Sequence, residues 1–193
     1  GIKVVVDTKP KNKGFYKGVD LITPNTKEAI EMVGDGSIED IGKRLVELFS
    51  SDVLLTRGGD GMNIFGKTGD STHFPSQTDK VTDVTGAGDT VIAVAALSLA
   101  VGYSSIEAAL IANYAGGVIV QKPGTSTLTI EELKSATEDI NHVVGVGLVS
   151  KLWGYEKWLE NNFCGLFEMA TGTGKTYTAF GCMNKLQNLH ERT

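Results

Sequence analysis

Cysteine is scarce in this chain: its 193 residues include two, Cys164 and Cys182, far apart and without a CxxC pair. Free thiols in a reducing cytosol are therefore the default, and no cysteine-based metal site is expected. Histidine is equally sparse, and His73, His142 and His190 are scattered rather than clustered. No apolar run is long enough to span a bilayer and no signal-peptide pattern is present, so a cytoplasmic protein without a membrane partner is expected. An excess of basic charge is also lacking. The net charge of -5 argues against broad nucleic-acid binding. Internal repeats and low-complexity tracts are absent. The composition, 41% hydrophobic and 21% charged, is that of an ordinary globular protein long enough to bury a core.

The stretch that organises the chain is Asp83-Val84-Thr85-Gly86-Ala87-Gly88-Asp89-Thr90, which runs directly into an apolar helix. Small residues at a helix start leave backbone N–H groups bare, and the helix dipole adds positive charge there, so an anion can approach. An acid at Asp89 would repel a ligand that is merely held. It makes sense if the carboxylate takes a proton from a hydroxyl while the amides of Gly86, Ala87, Gly88 and Asp89 hold a phosphoryl group in transfer. A glycine-rich turn capped by Asp89 is the plainer alternative.

Strands alternate with helices along the first 140 residues, which makes the class α/β with a mainly parallel sheet. Strands are expected at Lys3–Asp7, Val19–Ile22, Asp52–Thr56, Met62–Phe65 and Thr72–Pro75. The turn Arg57–Gly61 would make the third and fourth of these an antiparallel hairpin. Helices are expected after a cap at Asn25 or Thr26, over Ser37–Phe49, Ala87–Val101 and Ser105–Gln121, and over Ile130–Ile140 behind Thr129. Lys9, Lys11, Lys13 and Lys17 read as a solvated basic loop that could reach a phosphate, and Asp7 as a strand-end acid that either caps a turn or touches a cofactor.

The octapeptide resembles the second signature of the ribokinase-like, or PfkB, carbohydrate kinases, with Asp89 at the catalytic-base position. Thr23-Pro24-Asn25-Thr26-Lys27-Glu28 resembles the N-x-x-E element of that family, which implies that Asn25 and Glu28 organise Mg2+ and its waters. Thr56 through Gly61, with Gly58 and Gly59, resembles the loop near the nucleotide phosphates. Ala112 through Gly117 resembles the helix beside the adenine, with Asn113 and Gly117 at nucleotide-contacting positions. Asp83 and Thr85 fall where the family often binds a monovalent cation such as K+. Lys122 and the run Gly124-Thr125-Ser126-Thr127 are most similar to the heptose 7-phosphate kinase branch. The resemblance implies a ribokinase-like fold, ATP as phosphoryl donor, and a sugar or sugar phosphate as acceptor. The chain opens directly on a buried-type strand, so the N-terminal half of such a domain, which carries most sugar contacts, is expected to be absent. That would leave nucleotide affinity but put sugar phosphorylation by the chain alone in question.

A second phosphate cradle is expected near the C-terminus. Leu166–Met169 reads as a strand running into Ala170-Thr171-Gly172-Thr173-Gly174-Lys175-Thr176. Gly172 and Gly174 would bare the backbone, Lys175 would reach the β- and γ-phosphates and Thr176 would hold Mg2+. This segment resembles motif I of superfamily-two helicases of restriction systems. The expected organisation is a kinase-type unit over 1–142, a linker over 143–154 and a strand–loop–helix fragment over 155–193. Besides the kinase reading, the alternatives are a P-loop NTPase fragment and a non-catalytic scaffold that dimerises through an exposed sheet edge.

Overall fold

The computed structural model describes residues 2–137. Its elements are β1 (Val5–Val6), β2 (Leu21–Ile22), α1 (Thr26–Val33), α2 (Ile38–Phe49), β3 (Asp52–Thr56), β4 (Met62–Phe65), β5 (Ser71–Phe74), α3 (Ala87–Ala100), α4 (Ser105–Ile119) and α5 (Ile130–Ala136). The linker and the strand–loop–helix fragment expected beyond residue 142 lie outside the described residues, as do Gly172, Gly174, Lys175 and Thr176.

The five strands form one sheet in chain order. β1, β2 and β3 run parallel; β4 and β5 then return antiparallel, so the sheet is mixed rather than parallel throughout. The switch comes at the turn Gly58–Asp60, because a connection this short can join only antiparallel neighbours. Gly61 closes the turn at φ 81°, in the left-handed region, with the backbone of Phe74 and Pro75 pressed against it.

Strand alternation divides the core in two. Leu21, Leu54, Met62 and Ile64 face one side and pack with Val91, Ala95, Ile111, Ala112 and Leu133 of α3, α4 and α5. Ile22, Val53, Leu55 and Phe65 face the other, against Ala29, Met32, Ile41 and Leu45 of α1 and α2. β3 is covered on both faces, and this is why its centre, Val53-Leu54-Leu55, is an unbroken apolar run with no exposure at all. Each such side chain contributes roughly 1.5–3 kcal/mol by burial. α2 lies close enough to the sheet that a methyl group at Gly42 would enter the ring of Phe65. The α/β layering places the ends of β1, β2 and β3 and the start of α3 on one side of the molecule.

β1 is shorter than the Lys3–Asp7 expected. The Asp20 carboxylate accepts from the Val4 amide at 2.9 Å and from Lys3 Nζ at 2.8 Å, a side-chain clamp beside the hydrogen bond from the Leu21 amide to the Val4 carbonyl. Burial opposes ionisation of Asp20, but the Lys3 and Val4 donors outweigh it and hold the carboxyl below its ordinary value.

Candidate active site

The carboxyl ends of the parallel strands converge with the start of α3 on a cleft of about 160 Å³. It is lined by Asp7 and Lys9 after β1, Thr23, Asn25 and Glu28 after β2, Thr56 at the end of β3, and Gly88, Asp89 and Val91 of α3. Strand ends in an open α/β sheet are where ligands are usually held. The chain is knitted tightly there. Thr23 donates through both its amide and its hydroxyl to the Val6 carbonyl, at 3.0 and 3.2 Å. The Thr56 amide donates to the Pro24 carbonyl at 3.0 Å.

α3 starts without a side-chain cap. Its N-cap is Gly86, in the left-handed region at φ 81°, which has no side chain with which to cap the helix. The Ala87 amide donates to the Val84 carbonyl at 3.2 Å, so that donor is committed to the turn itself. Gly88 and Asp89 belong to the uncapped first turn, and both line the cleft. A Cβ placed on Gly88 would meet nothing within 4 Å, and its backbone is not left-handed. Neither packing nor conformation requires glycine there, although it costs up to about 1 kcal/mol relative to alanine in a helix. What glycine does provide is close access for a ligand to the amides.

Asn25 and Glu28 form a reciprocal capping box on α1. The Asn25 side chain accepts from the Glu28 amide at 2.9 Å, and Glu28 Oε2 accepts from the Asn25 amide at 3.0 Å. Glu28 Oε1 accepts from Lys9 Nζ at 2.9 Å, and Asp7 Oδ2 lies 3.4 Å from the same nitrogen. Burial alone would lower the Lys9 pKa, yet the Glu28 hydrogen bond and the two carboxylate charges hold it above the ordinary lysine value. Among the described residues, no three His, Cys, Asp or Glu side chains are grouped so as to hold a metal ion on their own. The donor set nevertheless suits a hydrated Mg2+ that keeps several waters and takes phosphate oxygens as further ligands.

Other expected site residues stand apart from the cleft. Asn113 is 3% exposed, and its amide donates to the Pro75 carbonyl at 2.8 Å, fastening the segment after β5 to α4. Gly117 lies beneath the same segment, with Gln77 Cβ 2.9 Å from where its own Cβ would be. Both residues therefore have a packing role here. Gly58 and Gly59 lie exposed in the turn after β3, where a Cβ would meet nothing within 4 Å. Asp83 accepts from the Thr85 amide at 2.8 Å and the Gly124 amide at 3.1 Å. These donors, the Thr85 hydroxyl foremost, hold its carboxyl below the usual value. Lys122 is paired with Glu132, 2.6 Å from its Oε1.

The cleft takes in Asp7, read from the sequence as either a turn cap or a cofactor contact, and adds Thr23 and Val91, to which no role was given. Asp7 and Thr23 follow strand ends, and that position was the available signal. Lys9 reads as solvated from its neighbours, and Lys11, Lys13 and Lys17 are indeed exposed. Lys9 is drawn inward by Glu28, 19 residues further along.

Residues 2–132 match the pfkB family carbohydrate kinases, and residues 127–193 match the res subunit of type III restriction enzymes. The chain is 41% identical over 142 residues to the bifunctional protein HldE of Syntrophotalea carbinolica, covering 70% of this chain and 29% of that protein. It thus spans less than a third of that relative's length. Among solved structures, it is similar to ribokinase from Thermotoga maritima, with 26% identity, a TM-score of 0.64, and coverage of 70% of this chain and 49% of the other. A putative ribokinase II from Escherichia coli, in complex with ATP and Mg2+, shares the fold at 20% identity and a TM-score of 0.59, over 66% and 42% of the two chains. By the match over residues 2–132, the chain belongs to the pfkB family of carbohydrate kinases.

Proposed function

We propose that this cleft transfers the terminal phosphoryl group of ATP to a hydroxyl of a sugar phosphate of the heptose 7-phosphate type. The observation that carries this reading is the glycine-rich start of α3, where Gly88, with open space over it, lines the cleft beside Asp89. Asp89 takes the proton of the acceptor hydroxyl as that oxygen bonds to the γ-phosphorus and the bond to ADP breaks. The Gly88 and Asp89 amides and the dipole of α3 hold the phosphoryl oxygens as charge moves onto them. Asn25 and Glu28 keep the end of α1 rigid and, with Asp7, present oxygens toward Mg2+. Mg2+, when bound, would neutralise phosphate charge. Asp83 and Thr85 shape the approach to α3, where K+ or another monovalent cation would sit. The resemblance of Lys122 and the run Gly124–Thr127 to the heptose 7-phosphate kinase branch supports a heptose phosphate over other sugars.

The test is calorimetric titration of the full chain with Mg-ATP, alongside a transfer assay over a panel of sugar phosphates. Asp89→Asn should lower transfer by about 10²–10⁴-fold while leaving nucleotide affinity nearly unchanged. Loss of both together would refute the role given to Asp89. A second reading, a P-loop at Gly172, Gly174, Lys175 and Thr176, is favoured by the restriction-subunit match over residues 127–193. Lys175→Ala would then remove a second class of ATP site and leave the first.

A further inference from the structure

An ammonium already occupies the place where two carboxylates of the cleft converge. Lys9 Nζ lies 2.9 Å from Glu28 Oε1 and 3.4 Å from Asp7 Oδ2. Its backbone is held from the other side. The Lys9 amide donates to Tyr16 Oη at 2.8 Å, and the Tyr16 hydroxyl donates back to the Lys9 carbonyl at 3.0 Å. Tyr16 is itself 6% exposed, with its ring tilted against that of Phe49 at a centroid distance of 5.9 Å. Glu28 is fixed as well, because its second oxygen closes the α1 capping box. The lysine is thus placed by three anchors, whereas a solvated surface lysine has none.

The charges around it explain what such a placement does. Asp7 and Glu28 line the cleft, and Lys9 is a cation among the described lining residues, held between them. Without the lysine, these two carboxylates would attract a bare divalent cation and repel the phosphates of a nucleotide more strongly. A positive charge held between them weakens both tendencies. The geometry points to Lys9 as the internal counter-cation of the cleft: it holds Asp7 and Glu28 against capture of a lone divalent cation, so that the metal is taken up together with nucleotide phosphates. This assignment rests on the kinase reading for its purpose, but its electrostatics can be measured without nucleotide.

The experiment titrates the full chain with Mn2+ alone, followed by electron paramagnetic resonance, and separately with metal-free ATP by calorimetry. Lys9→Met, which keeps the length of the side chain and removes its charge, should bind Mn2+ alone about tenfold more tightly than wild type and ATP more weakly. Lys9→Arg should follow wild type on both. A lysine that merely stabilised the fold would weaken both affinities on removal. An Mn2+ affinity unchanged or lowered in a folded Lys9→Met protein overturns the proposal. Should that variant fail to fold, Lys9→Gln decides instead: it removes the charge but keeps a polar end, and no gain in Mn2+ affinity would be equally fatal. Wild-type protein that binds no Mg-ATP at all would strike the kinase reading, and the Mn2+ comparison would still decide the role of Lys9.

Discussion

The N-termini of α1, α4 and α5 are closed in one way and that of α3 is left open. α1, α4 and α5 each carry a reciprocal capping box, Asn25 with Glu28, Ser104 with Glu107, and Thr129 with Glu132. α2 is capped by Ser37, whose side chain accepts from the Asp40 amide. α3, the most apolar entrance to the larger core, has Gly86 and no side-chain cap. The first turn of any helix has amides with no intrahelical acceptor, and caps satisfy them from within the protein. A glycine at the N-cap in place of a capping side chain is the difference on which the proposed phosphate cradle rests.

That contrast can be broken from either side. Gly88→Ala should separate stability from function most sharply. A methyl group there meets no protein atom within 4 Å and adds helix propensity, so the melting temperature should hold or rise, by up to about 1 kcal/mol of stability. The same methyl would project toward a bound phosphate, and nucleotide affinity should fall about tenfold or more, roughly 1.4 kcal/mol. Calorimetry and thermal unfolding on one preparation test both. An alanine that binds nucleotide as well as wild type would mean that the open start of α3 is not a phosphate cradle.

Ser104→Ala makes the opposite change on a closed end. It removes the α4 box and should cost about 1 kcal/mol of stability with nucleotide affinity unchanged, as read from urea midpoints and calorimetry. Asn25→Ala removes the same kind of box from α1 at a similar cost in stability, but Asn25 also lines the cleft. Its Mg-ATP affinity should fall as well. If the two variants behave alike in binding, the dual use of the α1 box is wrong.

Most of the architecture was legible because its signals are local. β3 matches the expected Asp52–Thr56, and β4 the expected Met62–Phe65, since a doubly buried strand and a glycine turn declare themselves within a few residues. A cap at Asn25 or Thr26 and one at Thr129 were legible for the same reason, whereas Ser37, read as part of its helix, is the N-cap. The cleft includes Gly88 and Asp89 of the expected cradle, while the Ala87 amide is committed to the Val84 carbonyl. The site was not legible where long-range pairing decides. Nothing near Lys9 announces that Glu28 will hold it, or that Tyr16 will clamp its backbone. Asn113 was expected at a nucleotide-contacting position by resemblance, and nothing near it announces that its amide donates to the Pro75 carbonyl. The antiparallel return of β4 was legible in the turn Arg57–Gly61, whereas the antiparallel pairing of β5 on β4 was not.

The smallest effect concerns the closed ends alone. Glu132 is held below its ordinary value of 4.5, first by its hydrogen bond to Lys122 and then by the Thr129 amide of the α5 box. A carboxyl lowered in the folded state contributes stability that is present above its unfolded pKa and lost as pH falls through its folded pKa. The affected window therefore lies below about pH 4.5. Because the pair is only partly buried, salt should weaken the effect. Urea midpoints measured from pH 6 down to pH 3 should fall less steeply for Glu132→Gln than for wild type, and the two curves should approach each other at the acid end. α3 has no such box to titrate, so its uncapped start should contribute nothing comparable to that difference. If Glu132→Gln leaves the acid limb unchanged, the α5 box is not a source of acid-sensitive stability, and the contrast between closed and open helix ends loses its energetic half.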